Sequence, residues 1–432
     1  MFQATARGGA KVKTSACRVA LVGAGPSGLA LAGELARSGI DGVVLLEREA
    51  TAGGIPRHCG HSPFGLREFH RILSGFEYAR RLADRAQQQG ARLWTAATVT
   101  KVEPGRILTL STASGVESLS AEKIVICTGN RETPRAARLV SGARPLGIVT
   151  TGALQSMVYL KHRLPFTRPL IVGSELVSFS ALLTCRHAGI RPVAMIEAHT
   201  QVTAWRGAAL LPRLLGTRFL LGASLQAIHG DERVTAVTIR DARGDLISLE
   251  CDGVIFSGNF VSESSLVRAS HLELDAASGG PRVDQYGRCS DEDYFACGNM
   301  LHPVDTAAWC WAEGVRTAAC VRASLEGKLA RSGRRLEISC ENPAIRYFTP
   351  QDIALSHSDC GTVPAGAHGS LQVRFNENLS GRLALCDENG ELCARNIRAR
   401  RERRVLLPLP AYEHLSRSQS LSLEFQPAQE RS

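Results

Sequence analysis

Two stretches of the chain share one pattern of apolar and polar positions, in which an apolar run meets a glycine-rich turn and a helix-forming segment follows. In the first stretch the apolar run covers residues 18–22, the helix-forming segment extends to about Arg37, and a second apolar run covers residues 43–46. The turn between the first run and the helix has the spacing GxGxxG, with glycines at Gly23, Gly25 and Gly28. This order of elements predicts a βαβ unit.

The residue types of this unit suit a dinucleotide. Gly23 allows the tight turn, Gly25 allows the backbone to approach a pyrophosphate, and Gly28 allows helix and strand to pack closely. Glu47 ends the second strand, 19 residues after Gly28, where a carboxylate accepts hydrogen bonds from a ribose. Because strand, helix, second strand and acid occur in register, we expect the phosphates at the N-terminus of the helix.

A second stretch repeats these landmarks 150 residues later. Gly173 corresponds to Gly23, Gly189 to Gly39, and Glu197 to Glu47. Two positions differ, because Glu175 replaces the middle glycine and Ser178 replaces the last one. A glutamate side chain at the middle position would crowd a pyrophosphate and repel its charge. We therefore expect this second unit to bind NAD(P)H poorly or not at all.

The last quarter of the chain changes to strict alternation of apolar and polar residues. Residues 371–375 and 421–425 place apolar side chains at every second position, as half-buried strands do. A polar, arginine-rich stretch at residues 326–335 indicates a linker before them. We therefore expect residues 341–432 to form a small antiparallel β-domain.

Within that domain, the pair Asn389-Gly390 predicts a hairpin with a two-residue type I′ turn. Counting outward from this turn pairs Cys386 with Cys393, at a Cα distance of about 5.5 Å that would permit a disulfide. We expect two free thiols instead. The 13 cysteines are an odd number, many lie in apolar strands, and no CxxC pair occurs, which is typical of a reducing compartment.

Composition narrows the class of protein. The 432 residues, 44% hydrophobic and 21% charged, suffice for two or three domains with a large core and exclude a disordered chain. No run of 18 apolar residues occurs, so we expect no transmembrane segment. The N-terminus lacks the apolar stretch of a secretory signal, which together with the cysteine usage favours a cytoplasmic protein.

The net charge of +10 is concentrated in two places. Residues 1–20 carry four cations and no acid, and residues 392–405 carry six arginines against Glu402, so these segments hold nine of the ten excess charges. Because the rest of the chain is almost neutral, we expect no nucleic-acid partner. We interpret residues 1–17 as a flexible basic arm. The second cluster is either a solvated face or a surface for an acidic partner or membrane.

Further landmarks accompany the two units. They are the pairs Gly53-Gly54, Thr128-Gly129 and Gly298-Asn299. Together these motifs resemble the FAD/NAD(P)-dependent pyridine-nucleotide–disulfide oxidoreductase superfamily over residues 18–330. Segments 54–65 and 298–302 are similar to a narrower set, the FAD-dependent oxidoreductases associated with anaerobic-type glycerol-3-phosphate dehydrogenases. That set resembles the flavin subunits of opine, sarcosine and hydroxyproline dehydrogenases.

The resemblance implies an α/β fold with two Rossmann-like (FAD/NAD(P)-type) three-layer domains, to which this chain adds the C-terminal antiparallel β-domain. An FAD-binding domain would comprise residues 18–150 and 251–330, and an NAD(P)-type domain with a degenerate motif would be inserted at residues 151–250. FAD would contact the first unit and the three glycine-containing pairs. The superfamily has an aspartate at the position of Asn299, where it hydrogen-bonds the ribityl chain; an asparagine can donate and accept there.

Three residues are candidates for the chemistry. Disulfide reductases of the superfamily carry a CxxxxC dithiol after the Gly-Gly pair, whereas this chain has only Cys59 there, so we expect no dithiol exchange. Cys59 is either a redox thiol beside the flavin or a buried packing thiol. His58 and His61 either carry protons or hydrogen-bond the flavin or backbone. A metal site formed by these three residues is the less favoured interpretation.

Three functions follow from this resemblance. The first is an FAD-dependent oxidoreductase, the flavin subunit of a multi-subunit dehydrogenase that oxidises a small amine or hydroxy acid and passes electrons to a partner subunit or quinone. The second is an NAD(P)H-dependent flavin reductase, which requires the second unit to bind a nicotinamide dinucleotide despite Glu175. The third is a non-catalytic FAD-bound scaffold that uses the β-domain and the arginine cluster to assemble a complex.

Overall fold

A computed structural model describes residues 13–329, 333–355 and 366–428. The first part of the N-terminal domain contains six strands and three helices. The strands are β1 (Lys13–Val22), β2 (Val43–Leu46), β3 (Arg92–Trp94), β4 (Thr98–Glu103), β5 (Ile107–Thr112) and β6 (Gly115–Ile126). The helices are α1 (Pro26–Arg37), α2 (Leu66–Phe69) and α3 (Gly75–Gln88).

Burial of the apolar runs explains the first unit. Strand β1 pairs in parallel with β2 on one side and with β6 on the other, and the side chains of residues 19–22 are buried. Helix α1 begins at Pro26, and proline suits this position because the first helical N–H groups have no intrahelical partner. The predicted βαβ unit is therefore present.

The predicted basic arm, residues 1–17, is wrong over its last five residues. Strand β1 begins at Lys13, and residues 13–17 pair with residues 117–121 of β6. Lys13 Nζ also lies 3.4 Å from a carboxylate oxygen of the buried Glu117. Backbone pairing at the edge of a long strand thus outweighs the polar composition of this segment. The rest of the predicted arm, residues 1–12, lies outside the described residues.

A second domain follows strand β7 (Asn130–Glu132) and contains nine strands and three helices. The strands are β8 (Ser141–Gly142), β9 (Ile148–Thr150), β10 (Pro169–Val172), β11 (Ala194–Glu197), β12 (Phe219–Leu221), β13 (Ser224–His229), β14 (Ala236–Arg240), β15 (Leu246–Glu250) and β16 (Gly253–Phe256). The helices are α4 (Thr151–Gln155), α5 (Leu176–His187) and α6 (Leu210–Leu214).

The central sheet of this domain is parallel, with the strand order β12-β11-β10-β16-β9. A second sheet has the order β15-β14-β13-β8. The predicted boundaries of the inserted domain, residues 151 and 250, are wrong by several residues. Strands β9 and β16 lie outside these boundaries. They nevertheless belong to the central sheet, because β16 pairs with β10 and β9 pairs with β16.

The chain then returns to the first domain. The returning elements are β17 (Phe260–Ser262), α7 (Ser265–Arg268), β18 (Tyr294–Ala296) and α8 (Ala307–Leu325). Strand β17 pairs antiparallel with β7, so these two strands form the connection between the domains. Strand β18 pairs in parallel with β6, and α8 packs against α1. The first sheet therefore has the order β3-β2-β1-β6-β5-β4 with β18 beside β6.

The C-terminal domain contains eight strands and one helix within the described residues. They are β19 (Arg334–Ser339), β20 (Ile345–Thr349), β21 (Asp352–Leu355), β22 (Ser370–Phe375), β23 (Leu379–Asp387), β24 (Gly390–Ala399), β25 (Val405–Pro408), α9 (Tyr412–Arg417) and β26 (Leu421–Pro427). Two sheets, β21-β19-β26-β23-β24 and β20-β22-β25, enclose an apolar core in which Phe375 and Phe425 meet edge to face.

This domain differs from its prediction in two respects. It begins at Arg334 rather than at residue 341, because β19 pairs with β21 and β26. Its pairing is mostly antiparallel, but β19 and β26 run parallel. The arginines at residues 334 and 335 belong to this strand and not to a linker, because they pair with Leu355 and Ala354 of β21. Their guanidinium groups donate to the carbonyl oxygens of Ser418 and Cys289, each at 2.7 Å.

The hairpin between β23 and β24 has a different register from the predicted one. Asp387 pairs with Gly390, Cys386 with Glu391, and Leu385 with Cys393, with an irregularity between the last two pairs. The carboxylate of Asp387 accepts hydrogen bonds from the backbone N–H groups of residues 389 and 390, at 2.8 and 3.1 Å, which moves the turn one residue towards the N-terminus. A bulge then shifts the register by one residue, and Cys393 pairs with Leu385 rather than with Cys386. Cys386 and Cys393 are free thiols.

Candidate flavin site

A cavity of about 430 Å³ opens at the carboxyl ends of the central strands of the first domain. Residues from both parts of this domain form its wall, as expected where a parallel sheet has a topological switch point. Among the residues selected from the sequence, those that line it are Gly23, Gly25, Glu47, Gly54, His58, Cys59, Thr128, Gly129 and Asn299. Gly28, Gly53, His61 and Gly298 are not part of this wall.

The three glycines of the first turn have different environments. A Cβ atom on Gly23, where φ is +107°, would lie 2.5 Å from the carbonyl oxygen of Cys127. A Cβ atom on Gly28 would lie 2.1 Å from the carbonyl oxygen of Gly23, so Gly28 permits the close contact of helix and strand. A Cβ atom on Gly25 would meet no atom within 4 Å. Gly25 therefore presents its backbone to open space at the N-terminus of α1.

Gly53 and Gly298 serve the packing behind the cavity wall. A Cβ atom on Gly53 would lie 2.5 Å from the Cβ atom of Ala79, and one on Gly298 would lie 2.4 Å from Ser27 Oγ. Both residues also have positive φ, +126° and +77°. These glycines therefore allow close packing behind the cavity wall.

Glu47 is buried at the carboxyl end of β2. Its Oε2 accepts a hydrogen bond from the backbone N–H of Ala24 at 3.1 Å, and its Oε1 accepts one from Glu49 at 2.9 Å. A carboxylate has about four acceptor positions, so this side chain can still accept from ligand hydroxyls. The two backbone bonds hold the carboxylate beside the turn that contains Gly25.

Thr128 and Asn299 already have protein partners. Thr128 Oγ1 donates to the carbonyl oxygen of Glu263 at 2.8 Å. Asn299 Nδ2 donates to the carbonyl oxygen of Asp305 at 2.9 Å, and its Oδ1 accepts from the N–H of the same residue at 3.1 Å. The amide of Asn299 thus retains one donor and one lone pair for a ligand, and it also shapes the loop that leads into α8.

His58 and Cys59 lie on the cavity wall in the segment after Gly54. The Nδ1 atom of His58 is buried and has no hydrogen-bond partner among the described residues. Burial lowers the pKa of His58, and the charge of Arg57 acts in the same direction. Burial also raises the pKa of Cys59 to about 12. At neutral pH the segment therefore presents a neutral imidazole and a protonated thiol.

His61 lies outside the cavity wall but is connected to Cys59. Cys59 Sγ lies 3.6 Å from Gln155 Oε1, and Gln155 Nε2 donates to Ser180 Oγ at 2.6 Å. Ser180 Oγ is also 2.5 Å from His61 Nε2. Gln155 and Ser180 belong to the second domain, so this series of contacts crosses the domain junction. The sequence contained no signal for it.

The structure also brings together two cysteines that are 170 residues apart. Cys127 and Cys297 follow the paired strands β6 and β18, and their Sγ atoms are 3.4 Å apart. Both are buried free thiols, and Cys127 borders the cavity. Only the pairing of the two strands places them side by side. In residues 13–329, 333–355 and 366–428, no group of three or more His, Cys, Asp or Glu side chains is arranged to hold a metal ion.

The second unit has the same backbone but a filled turn. Glu175 occupies the N-cap of α5, as Gly25 does for α1. Its Oε1 accepts a hydrogen bond from the N–H of Asn259 at 2.7 Å, and its carboxyl carbon lies 2.2 Å from where a Cβ atom on Gly258 would be. Burial raises the pKa of Glu175 to about 7. The side chain therefore occupies the space that is open at Gly25.

Similarity to known proteins agrees with this fold and this cavity. The profile of the family described as pyridine nucleotide-disulphide oxidoreductase matches residues 16–319. This range includes both nucleotide-type units and both parts of the first domain. Among the described residues, no helix combines the length and the apolarity that a membrane span requires.

Two curated relatives illustrate the similarity in sequence. One of the subunits of opine oxidase from Rhizobium meliloti (strain 1021) is 25% identical over 177 residues, which is 41% of this chain and 38% of that protein. Mycothione reductase of Mycobacterium tuberculosis (strain H37Rv) is 26% identical over 210 residues, 46% of this chain and 41% of that protein. These matches span about two fifths of each relative.

The solved structures show the fold. Thioredoxin reductase of T. acidophilum has a TM-score of 0.60 at 21% identity, covering 72% of this chain and 98% of that one. L-Proline dehydrogenase of P. horikoshii has a TM-score of 0.55 at 14% identity, covering 74% of this chain and 60% of that one. Since the family profile spans well over half of the sequence, the chain belongs to the pyridine nucleotide-disulphide oxidoreductase family.

Proposed function

We propose that the protein is an FAD-dependent oxidoreductase, the flavin subunit of a multi-subunit dehydrogenase that oxidises a small amine or hydroxy acid. Its electrons pass to a partner subunit or quinone. The observation that carries this proposal is the contrast between an open dinucleotide cradle at Gly25 and a closed one at Glu175. A single dinucleotide site suits an enzyme that receives its electrons from a substrate rather than from NAD(P)H.

The residues of the cavity fit FAD. Gly25 exposes backbone at a helix N-terminus, which suits a pyrophosphate, and Glu47 retains acceptor positions for ribose hydroxyls. Thr128, Gly129 and Asn299 line the same cavity further along the proposed path of the cofactor. The bound flavin supplies the two-electron redox chemistry. The contribution of this chain is to bind and orient that group.

The surroundings of Cys59 favour a reaction without dithiol exchange. The polar atoms in contact with its Sγ are the carbonyl oxygen of Ile55 and the amide oxygen of Gln155, both at 3.6 Å. A thiol with a raised pKa is a poor nucleophile at neutral pH. We therefore propose that Cys59 packs beside the flavin. His58, a neutral imidazole on the cavity wall, is then the candidate group for accepting a proton from substrate.

The partner and substrate classes rest on similarity. The name of the rhizobial relative describes it as one of the subunits of an opine oxidase, and one structural neighbour is a proline dehydrogenase. Opines and proline both carry a secondary amine beside a carboxylate. We extend this class of substrate and the subunit role to the present chain as part of the proposal.

Anaerobic reduction of the flavin tests the proposal. The protein is purified together with its co-purifying subunits, and the visible absorbance of the flavin is followed after addition of secondary amino acids, hydroxy acids, NADH or NADPH. We expect bleaching by an amino or hydroxy acid and none by either nicotinamide dinucleotide. Bleaching by NADH alone would instead establish the flavin reductase, and a flavin that no donor reduces in any subunit combination would favour the scaffold.

A matched pair of histidine variants sharpens the assignment of the proton acceptor. His58→Gln should slow reduction by the substrate and remove a pH dependence of that step, because His58 borders the cavity. His61→Gln should have a smaller effect, because His61 contacts Ser180 and lies outside the wall. Equal effects of both variants would contradict the role of His58.

A further inference from the structure

The loop at residues 400–404, between strands β24 and β25 of the C-terminal domain, reaches the second nucleotide-type unit. Arg401 contacts the carboxyl end of β11 and the segment that follows it. One guanidinium nitrogen donates to Thr203 Oγ1 at 2.6 Å and lies 3.7 Å from Glu197 Oε1. The other hydrogen-bonds to His199 Nε2. Arg401 thus engages Glu197, the residue that corresponds to the ribose-binding position of the first unit.

The same loop is held in place by its backbone. The N–H of Arg401 donates to Asn378 Oδ1 at 2.9 Å, and Asn378 Nδ2 donates to Gln201 Oε1 at 3.2 Å. The next residue, Glu402, has a φ of +60°, a conformation that non-glycine residues seldom adopt. The loop is therefore anchored to the second domain at both Gln201 and Glu197.

The loop also carries an acidic side chain, Glu402, whose charge acts on Glu175 in the turn of the second unit. Its carboxylate forms an ion pair with Arg346 and is mostly shielded from solvent. Its charge acts on Glu175 and raises the pKa of that residue further, whereas Arg138 and Arg401 act in the opposite direction. The Oε2 atoms of Glu175 and Glu402 are both buried without a hydrogen-bond partner among the described residues. Two carboxylates, each with an unpaired buried oxygen, are thus found at this unit: Glu175 in its turn and Glu402 in the loop whose Arg401 contacts Glu197.

We propose that the loop at residues 400–404 is a resident ligand of the second nucleotide-type unit. Arg401 replaces a ribose at Glu197, and Glu402 together with Glu175 keeps phosphate groups out. The unit serves as the docking site of the C-terminal domain. The sequence predicted an obstacle at Glu175 alone; the structure adds a second obstacle that comes from another domain. Within this part of the arginine cluster, Arg401 and Arg404 therefore make intramolecular contacts, Arg404 with Asp305, whereas Arg400 and Arg403 are exposed.

Binding of NADH to four forms of the full chain tests the two obstacles separately. They are the wild type, Glu175→Gly, the loop variant Arg401→Ala/Glu402→Gly, and the variant that combines all three changes. We expect isothermal titration to detect no binding by the first three forms. The fourth form should bind NADH with a dissociation constant at least 10-fold lower than the highest one that the titration can detect. Binding by Glu175→Gly as tight as that of the combined variant would overturn the role of the loop, and so would absence of binding by the combined variant.

Hydrogen exchange provides a test that needs no dinucleotide. In Arg401→Ala we expect amides at residues 199–203 to exchange at least 10-fold faster, because Arg401 covers this segment. The control is Arg403→Ala, which alters an exposed arginine of the same loop and should leave these rates unchanged. Flavin content reports whether each variant keeps its first domain folded. Unchanged exchange in Arg401→Ala would overturn the proposal independently of whether the protein is a dehydrogenase.

Discussion

The two nucleotide-type units share a backbone and differ in access. Each has a parallel strand, a helix that begins at the turn, and a second strand that ends in a buried glutamate. In the first unit, space beside Gly25 is open, and Glu47 is held by two backbone N–H groups. In the second unit, Glu175 fills the turn and Arg401 covers Glu197. One side chain and one loop thus separate an open site from a closed one.

This difference is the basis of our proposal that only the first unit binds a dinucleotide, although both units have the βαβ fold. The N-terminus of a helix attracts an anion, and for the first unit we propose that a ligand phosphate supplies it. In the second unit the Glu175 side chain fills the turn and accepts a hydrogen bond from the N–H of Asn259, without capping α5. The two units therefore differ in what fills the turn and not in the order of strand, helix and strand.

We expect the largest effect on FAD affinity from the substitution that gives the first unit the glutamate of the second. Gly25→Glu places a carboxylate where a pyrophosphate must bind, so we expect FAD affinity to fall more than 100-fold, or about 3 kcal/mol. The variant should be purified colourless with an unchanged far-ultraviolet circular dichroism spectrum.

The uncharged Gly25→Gln is the control for this substitution. It separates bulk from charge, because the two side chains have nearly the same size. Full flavin content in Gly25→Glu would refute the assignment of this turn to FAD. Equal losses in both variants would attribute the effect to bulk.

A second effect concerns the stability of the filled unit. The pKa of Glu175 is raised to about 7 from the ordinary value of 4.5, so between these pH values the folded state holds a proton that the unfolded state has lost. Stability should therefore fall as pH rises through this window. Glu175→Gln remains neutral, and we expect it to be more stable than the wild type at about pH 8 by about 1–3 kcal/mol.

The gain from Glu175→Gln should disappear near pH 4, where both side chains are neutral. Urea unfolding at the two pH values measures this, with the exposed Glu250→Gln as the matched control. The charges that act on Glu175 include Arg138, Arg401 and Glu402. A gain that does not change with pH would contradict the raised pKa.

The smallest expected effect compares the two acidic strand ends. Glu47→Gln should weaken FAD binding about 10-fold, or about 1.4 kcal/mol, because a neutral amide accepts ribose hydroxyls less strongly than a carboxylate. Glu197→Gln should leave FAD affinity unchanged, because its neighbour is Arg401 and not a ligand. Equilibrium dialysis of FAD against the two apoproteins measures both. A loss of FAD affinity in Glu197→Gln would contradict the division of roles between the units.

The sequence by itself determined the parts of this protein that depend on local order. The spacing of Gly23, Gly25 and Gly28 predicted the first unit. Gly23 and Gly28 each avoid a clash with a backbone carbonyl oxygen, and Gly25 leaves the turn open. The 150-residue offset located the second unit, and Glu175 stood out as the side chain at its middle position. Alternation of period two predicted two strands of the C-terminal domain, β22 and β26.

The hairpin turn marks the limit of local reasoning. Asn389-Gly390 predicted a turn at the correct place along the chain, but the side chain of Asp387 shifted it by one residue. The energy difference between neighbouring turn types is small, so a few side-chain hydrogen bonds select the register. Local reasoning also missed the exact domain boundaries. A strand such as β9 or β16 belongs to the domain whose sheet it joins, and the sequence does not show which sheet that is.

Tertiary structure alone decided which distant residues meet. Gln155 lies beside Cys59 across 96 residues, Cys127 beside Cys297 across 170, and Arg401 beside Thr203 across 198. No pattern in the sequence predicts these contacts. The side chains meet only because the intervening chain folds into sheets that bring them together. The presence of both units and the obstacle at Glu175 were therefore determined by local spacing, whereas the contact of Arg401 with Glu197 was set by the packing of a separate domain.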